Sequence, residues 1–330
     1  GRDPGPDFST AGYLRTYLDV AARGENPLVH FERHGRGERR NPRPKPRPPA
    51  TGGRGGLARI DVVVPVYNAL DDVRACLESL ARCPTGFDLR VLVVNDGSDA
   101  PTTDWLRSAC STLDTRTARF ELIEHNHNKG YTKAVNTGLL ASDAPYVVTL
   151  NSDTIVTPHW LDGLVHCMNS APDIGITGPL SNAASWQNVP ELRGPDGGFA
   201  INALPEGIQP DDMAAVILQS SQRVYPRSTF LNGFCFMIRR EVLDAIGYMD
   251  EAAFPTGYGE ENDFCIRAQD AGFALAIADD TYVFHAKSKS FGSTRREELS
   301  KAGGEALRAK HSAEKFRDLV EQVARTEVMD

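Results

Sequence analysis

Three carboxylates fall within four residues, Glu260, Glu261 and Asp263, directly after Gly257-Tyr258-Gly259. Adjacent acids raise one another's pKa, and a carboxylate so raised suits the removal of a proton from a hydroxyl. The same charges also complement the positive end of a helix that Phe264, Ile266 and Ala268 would continue. A second constellation is Asn151-Ser152-Asp153, after the apolar run Tyr146–Leu150. Small and acidic residues just past a buried strand suit a hard divalent cation that also holds phosphates. One carboxylate cannot hold a metal, so diphosphate oxygens, water and another side chain must complete the shell. His285, after Tyr282-Val283-Phe284, is the candidate, although a histidine at a strand end serves a structural hydrogen bond at least as readily. Ala286-Lys287-Ser288-Lys289-Ser290 follows, and lysines there can neutralise a leaving diphosphate. Two earlier turns, Val64-Pro65-Val66-Tyr67-Asn68 and Asn95-Asp96-Gly97-Ser98-Asp99, put small and acidic groups where a base or ribose could bind. Each is equally an ordinary turn with a capping Asp or Ser.

These groups need a scaffold that brings strand ends together. Ile60–Val66 is a β-branched run, as expected of a strand covered on both faces. Leu70, Val73, Leu77 and Leu80 then fall at helical spacing, with Asp71 and Asp72 in the first turn. Further strands are expected at Leu89–Val94, Phe120–Glu124 and Tyr146–Leu150, and a helix over 132–140. Such alternation implies an open α/β sheet with right-handed crossovers, and ligands bind at the carboxyl ends of its strands. The polar motifs sit at those ends.

Residues 41–57 hold five prolines, four cations and four glycines with no acid, and read as an extended linker. Before it, residues 1–40 carry a short helical piece. Tyr13, Leu14, Tyr17 and Leu18 fall at helical spacing, and Leu28, Phe31 and His34 follow Pro27. So few residues are expected to pack on something else. The main unit is expected over 58–291 and a charged helical tail over 292–330, with Leu307, Phe316, Leu319 and Val323 on one face. The chain begins with Gly1, as expected of a segment of a longer polypeptide.

The 330 residues, 41% of them hydrophobic, can bury a sizeable core. A net charge of −8 argues against nucleic acid as the partner. No apolar run approaches the roughly 20 residues of a membrane span. The six cysteines form no C-x-x-C pair and read as buried, reduced thiols, as expected of a protein in the cytoplasm or peripheral at the inner face of the membrane.

Taken in order over residues 60–291, V-P-V-Y-N, N-D-G-S-D, N-x-G-Y-x-K-A-x-N-x-G (128–138), N-S-D, an acidic pair and His resemble the inverting GT-A glycosyltransferases called family 2. Gly178-Pro179-Leu180-Ser181-Asn182 and Trp186-Gln187-Asn188-Val189-Pro190 resemble the enzymes of O-antigen and rhamnose-rich polysaccharide synthesis within it. The N-terminal piece resembles a small module of the same proteins. Gly1-Arg2 before Pro4 echoes Gly37-Glu38-Arg39-Arg40 before Pro42, as if a copy stood upstream.

That resemblance implies a nucleotide-sugar donor, perched over Pro65, Val66, Tyr67, Asn68 and Asp96, with Lys133 and Lys289 near the nucleotide. Asn151, Ser152 and Asp153 would meet the diphosphate, and Asp153 and His285 would ligate Mn2+ or Mg2+. Asn151 stands where the family has an aspartate, so metal affinity without nucleotide is expected to be weak. Glu261 would be the base, with Glu260 and Asp263 as alternatives. The acceptor, a glycan or lipid-linked glycan, would meet Asn182, Trp186, Asn232 and Gly233. Two rivals stand beside this reading. A nucleotidyltransferase would favour an early glycine-rich phosphate loop, which is absent. A degenerate domain acting as scaffold or glycan-binding module would not need Asp96, Asp153, Glu261 and His285 together.

Overall fold

The computed structural model describes residues 58–287 and 293–324, the latter with side chains from 298 onward. Before these it describes Phe8, Tyr13, Val20, residues 26–38, Arg40 and Pro42. The expected linker, Pro42 apart, lies outside the described residues, as do Leu14, Tyr17, Leu18 and Lys289.

In the N-terminal part, Asn26 caps the one-turn helix α1 (Pro27–His30), its side chain accepting from the Leu28 and Val29 amides. Tyr13 is fully buried among Phe8, Val20, Phe31 and Leu28, and its hydroxyl lies 3.1 Å from His30 Nδ1. These described residues form a small aromatic cluster of their own.

From residue 59 the β-branched runs become strands. β1 (Arg59–Val66) pairs in parallel with β2 (Asp88–Asn95), and β2 in parallel with β3 (Ala118–Glu124). β4 (Tyr146–Leu150) lies parallel to β1 on its other side. Val62, Val64 and Val66 enter one apolar cluster and Val63 the other, so both faces of β1 are covered. That is why its sequence is apolar without alternation. The crossovers are α2 (Leu70–Arg82), α3 (Ala100–Thr112) and α4 (Tyr131–Ala141). Val73, Cys76, Leu77 and Leu80 form the buried stripe of α2. Asp99 caps α3, accepting from the Thr102 amide at 3.0 Å. α4 presses so closely on β1 that a methyl at Gly138 would overlap Val63.

The second half extends the sheet with mixed polarity. β5 (Thr154–Val156) precedes α5 (Trp160–Asn169), then β6 (Ile174–Leu180), α6 (Pro210–Ser220) and β7 (Arg227–Ser228). β8 (Cys235–Arg239) inserts antiparallel between β4 and β6. α7 (Arg240–Ile246) and α8 (Glu260–Asp270) lead into β9 (Ala274–His285), parallel to β6. The strand order is β3-β2-β1-β4-β8-β6-β9-β5, with β7 beside β9. The expected strand at 282–284 is thus the end of a twelve-residue one.

Two closing helices, α9 (Ser293–His311) and α10 (Ala313–Ala324), lie against this body. Leu307 and Val323 are buried, the Phe316 ring lies 5.6 Å from that of Phe230, and Thr229 Oγ1 donates to the Leu319 carbonyl at 2.7 Å. Among the described residues no helix is long and apolar enough to cross a membrane. All six cysteines are buried and free, and burial pushes the Cys76 thiol up to about 12.

Candidate active site

The ends of β1, β2 and β4 meet at a cavity of about 370 Å³. Pro65, Val66 and the half-exposed Tyr67 form one wall, with Asp96 behind them. Asp96 is 2% exposed and holds the loop that enters α4. Its Oδ1 accepts from the Lys129 amide and its Oδ2 from the Gly130 amide, each at 2.9 Å, and His125 Nδ1 lies 2.7 Å from Oδ1. Gly130 sits at φ +95°, so close to Pro255 that a side chain would overlap the Pro255 carbonyl. Asn68 does not line the cavity. It accepts from the Asp99 amide at 2.8 Å, and its own amide donates to Ser98 Oγ at 2.9 Å, bracing the β1 turn against the β2 turn.

Asn151, Ser152 and Asp153 form the floor. The Tyr131 hydroxyl donates to Asn151 Oδ1 at 2.8 Å, which occupies the amide oxygen and leaves its NH2 as the donor. Burial, then the carboxylates of Glu260, Glu261 and Asp153, hold the Tyr131 hydroxyl well above its usual pKa, so it stays a donor.

His285 is 7% exposed and stacks on Phe234, ring centroids 5.1 Å apart. Its Nδ1 lies 2.9 Å from the Ala183 carbonyl, which can only accept, so Nδ1 carries a proton. Nε2 then faces Asp153 Oδ1 at 3.3 Å. On a neutral ring Nε2 is a lone pair opposite a carboxylate, an arrangement that a proton or a cation between them relieves. The donor set, one imidazole and one carboxylate with an orienting carbonyl behind the ring, fits a divalent cation whose remaining ligands come from phosphate and water. Among the described residues no cluster of three His, Cys, Asp or Glu side chains stands ready to hold a metal alone.

Glu260 and Glu261, at the start of α8, line the same cavity, Glu261 against Gly233. Glu261 Oε2 accepts from the Gly259 amide at 3.2 Å. Glu260 is 5% exposed, and its Oε2 is buried without a hydrogen-bond partner. Burial pushes Glu260 well above the usual carboxylate range, and contact with Glu261 pushes it further. Burial also raises Glu261, but the same contact pulls Glu261 down. The pair therefore holds its proton on Glu260 and leaves Glu261 the stronger candidate to accept one.

Not every expected residue arrives. Asp263 is fully buried on the other face of α8, bound by Arg267 Nε at 2.8 Å, Lys310 Nζ at 2.9 Å and His311 Nε2 at 2.6 Å. Its place two residues after Glu261 turns it away from that side chain, and it does not line the cavity. Lys133 points out of the cavity, where Glu251 takes it at 2.9 Å. Asn182 is buried, its Oδ1 accepting from the His285 amide at 2.8 Å and its Nδ2 donating to the His285 carbonyl at 3.1 Å. It fixes the histidine and does not line the cavity. Trp186 lies outside the cavity, edge-on to Phe199 at 5.0 Å under the Arg193 guanidinium. Asn232 and Gly233 do line it, and Asn232 is held by Gln187 Oε1 and Ser185 Oγ. Tyr131 and His125 carry roles that the sequence reading did not assign them. For Tyr131 the signal was its place directly after Gly130, at the start of a helix between two polar strand ends.

The chain resembles known proteins. Glycosyl transferase family 2 matches residues 61–247, more than half of the chain. Pre-mycofactocin glycosyltransferase of Mycobacterium tuberculosis (strain CDC 1551 / Oshkosh) is 28% identical over 244 residues, which are 73% of this chain and 44% of the relative. The chain thus spans less than half the length of that relative. Glycosyltransferase AglE of Haloferax volcanii is 23% identical over 252 residues, covering 76% of this chain and 73% of its own. Among solved structures, the mannosyltransferase PcManGT from Pyrobaculum calidifontis, in complex with GDP-Man and Mn2+, superposes with TM-score 0.57 at 18% identity, over 96% of this chain and 82% of that one. GalNAc-T7 with UDP, GalNAc and Mn2+ superposes with TM-score 0.53 at 17% identity, over 70% and 44%. At these identities the likeness establishes the fold, the GT-A arrangement of a curled, mostly parallel sheet between helices.

Proposed function

Since the chain belongs to glycosyl transferase family 2, we propose that its residues 58–291 transfer a sugar from a nucleotide-sugar to a hydroxyl of a growing glycan, with inversion at the anomeric carbon. The observation that carries this is one cavity with a carboxylate–imidazole pair, Asp153 and His285, on one side and a proton-sharing pair, Glu260 and Glu261, on another. The solved neighbours named above hold UDP or GDP-Man with Mn2+, which supports the donor class and the metal.

In this reading the acceptor oxygen attacks the anomeric carbon in line with the departing diphosphate. The bond from that carbon to the diphosphate oxygen breaks, and the diphosphate leaves with the electron pair. Glu261 takes the acceptor proton. Asn151 donates its NH2 to an oxygen of the nucleotide, and Lys287, on the cavity wall, offsets negative charge on the phosphates. Asp153 and His285 would hold Mn2+ or Mg2+, which supplies Lewis-acid stabilisation of the leaving diphosphate. A dTDP-rhamnose or UDP-sugar donor and a cell-surface polysaccharide product complete the proposal. The segment before residue 58 serves acceptor or partner docking.

The test is a panel of nucleotide-sugars with Mn2+ or Mg2+, read as nucleoside diphosphate release with and without glycan acceptors. Release that needs both the cation and one donor class is expected. No release from any donor, or full turnover in excess chelator, overturns the proposal.

A further inference from the structure

Three consecutive residues before the acid pair adopt left-handed backbone: Gly257 at φ +88°, Tyr258 at +66° and Gly259 at +130°. Glycine tolerates such angles, whereas tyrosine does not adopt them freely. Local support for the turn is slight: α8 starts at Glu260 with Gly259 as its N-cap residue and no cap side chain, and the Gly259 and Gly257 amides make hydrogen bonds of 3.2 and 3.4 Å to Glu261 Oε2 and the Phe254 carbonyl. The turn nonetheless sets where Glu260 and Glu261 point, since they are the first two residues it releases into the helix.

What holds the turn lies forty residues on. Gly303 of α9 is buried with its Cα against the Tyr258 carbonyl, so close that a methyl there would overlap both the carbonyl oxygen and its carbon. One turn later Leu307, 3% exposed, reaches Gly259, where an added Cβ would stand 3.3 Å from Leu307 Cδ1. One further turn on, Lys310 and His311 bind Asp263 on the back of α8. α9 therefore touches the turn, its exit and the helix it feeds with one continuous stripe, residues 303, 307, 310 and 311.

We propose that α9 is a clamp that positions the Glu260–Glu261 pair, with Gly303 as its positioning residue. The inference rests on the glycosyltransferase reading of the acid pair. It adds that a part of the chain outside the matched family segment, residues 61–247, determines where the base stands. Gly303 touches no substrate. It acts through Tyr258 by having no side chain.

The adjacent glycine supplies the control. Gly304 is also in α9, but an added methyl there would meet only the Arg308 guanidinium, 3.4 Å away at the end of a flexible side chain. Gly→Ala at either position gains a similar amount of helix propensity. Only Gly303→Ala must displace the Tyr258 turn. In the full chain, Gly303→Ala is expected to lower kcat about 10²-fold, the scale of a catalytic group misplaced by about an ångström, while the dissociation constant of the nucleoside diphosphate, with Mn2+, stays within about 2-fold by calorimetry. Gly304→Ala is expected to leave both unchanged. Hydrogen exchange of the amides at 258–261 reads the turn without any turnover: faster in Gly303→Ala, unchanged in Gly304→Ala. Leu307→Val, which shortens the second contact without filling the first, is expected to shift the same amides in the same direction by less. Equal kcat and exchange in the two glycine variants overturns the clamp. If the exchange pattern appears but wild-type protein releases no diphosphate from any donor, the clamp stands and the glycosyltransferase reading fails.

Discussion

The first turn of α8 buries two carboxylates three residues apart, and they live in opposite worlds. Asp263 meets the cations of Arg267 and Lys310 and the imidazole of His311. Burial alone would raise its carboxyl, but those partners outweigh it and hold it below the usual aspartate range. Among the described residues Glu260 meets no cation, keeps one oxygen without a hydrogen bond and has another carboxylate as its neighbour. A fold built for stability alone would pair both. The contrast separates a group that ties helices together from one kept underpaired so that its charge state can change. The two sites should therefore answer mutation and pH in opposite ways.

The largest effect is expected at the active face. Glu261→Gln keeps the shape and removes the proton acceptor, so transfer should fall about 10²–10⁴-fold, the usual contribution of a general base. Nucleotide affinity should hardly move. Initial rates beside calorimetric binding decide it, and a variant as fast as wild type ends the base-catalysed mechanism.

Next comes the opposite face. Asp263→Asn leaves Lys310, His311 and Arg267 without their common anion, which should cost about 3 kcal/mol, as breaking a buried pair does. Denaturant melts should show that loss, whereas activity per folded molecule should fall far less than in Glu261→Gln. A variant of normal stability but with the transfer rate of Glu261→Gln would erase the distinction between the two faces.

A smaller and more diagnostic effect concerns pH. Asp263, depressed in the folded state, contributes stability above the unfolded aspartate pKa, about 3.9, and loses it as pH falls through the lower folded value. Glu260 is raised. Its contribution is intact below the unfolded glutamate pKa, about 4.3, and declines as pH rises toward the folded value, because the folded state keeps a proton that the unfolded state has released. Melts across pH should show the acid-side loss shrink in Asp263→Asn and the loss on raising pH shrink in Glu260→Gln, the remainder coming from other depressed aspartates and from the raised Glu261. An unchanged profile in both variants would count against these environments.

Part of this comparison was legible in the sequence. The parallel core was readable because β1 and β4 are buried on both faces and so carry uninterrupted apolar runs next to short polar turns. Asp153, His285 and the acid pair could be named because strand ends and a helix start announce themselves locally. The rest depends on partners distant in the chain. Nothing near Lys133 reveals Glu251, 118 residues away. Nothing near Asn182 reveals that it clasps His285, 103 residues on. Asp263 could be named only as a lesser alternative to Glu261 with a role in helix packing, because Lys310 and His311, two of its three partners, lie on α9, with only Arg267 one turn along α8. β8 was missed because Cys235–Arg239 is too short and too uniformly apolar to declare itself an antiparallel insertion.

The smallest expected change in rate sharpens the comparison most. Glu260 holds the proton of the acid pair, and its contact with Glu261 lowers the pKa of its neighbour. Gln at position 260 retains a donor of similar shape in the form of its NH2 group. It also removes the possibility of a second negative charge beside Glu261. Glu260→Gln should therefore keep transfer within about 10-fold of wild type at its optimum, below the usual contribution of a general base. The Glu261 limb of the rate profile rises with pH, because the ionised form is the active one. In wild type, ionisation of Glu260 at higher pH adds a like charge beside Glu261, whereas in the Gln variant nothing follows the limb. The variant should thus reach a flat plateau above it, measured as kcat/KM against pH with saturating metal. If Glu260→Gln instead falls as far as Glu261→Gln is expected to, with nucleotide binding intact, the base is Glu260 and the roles within the pair exchange.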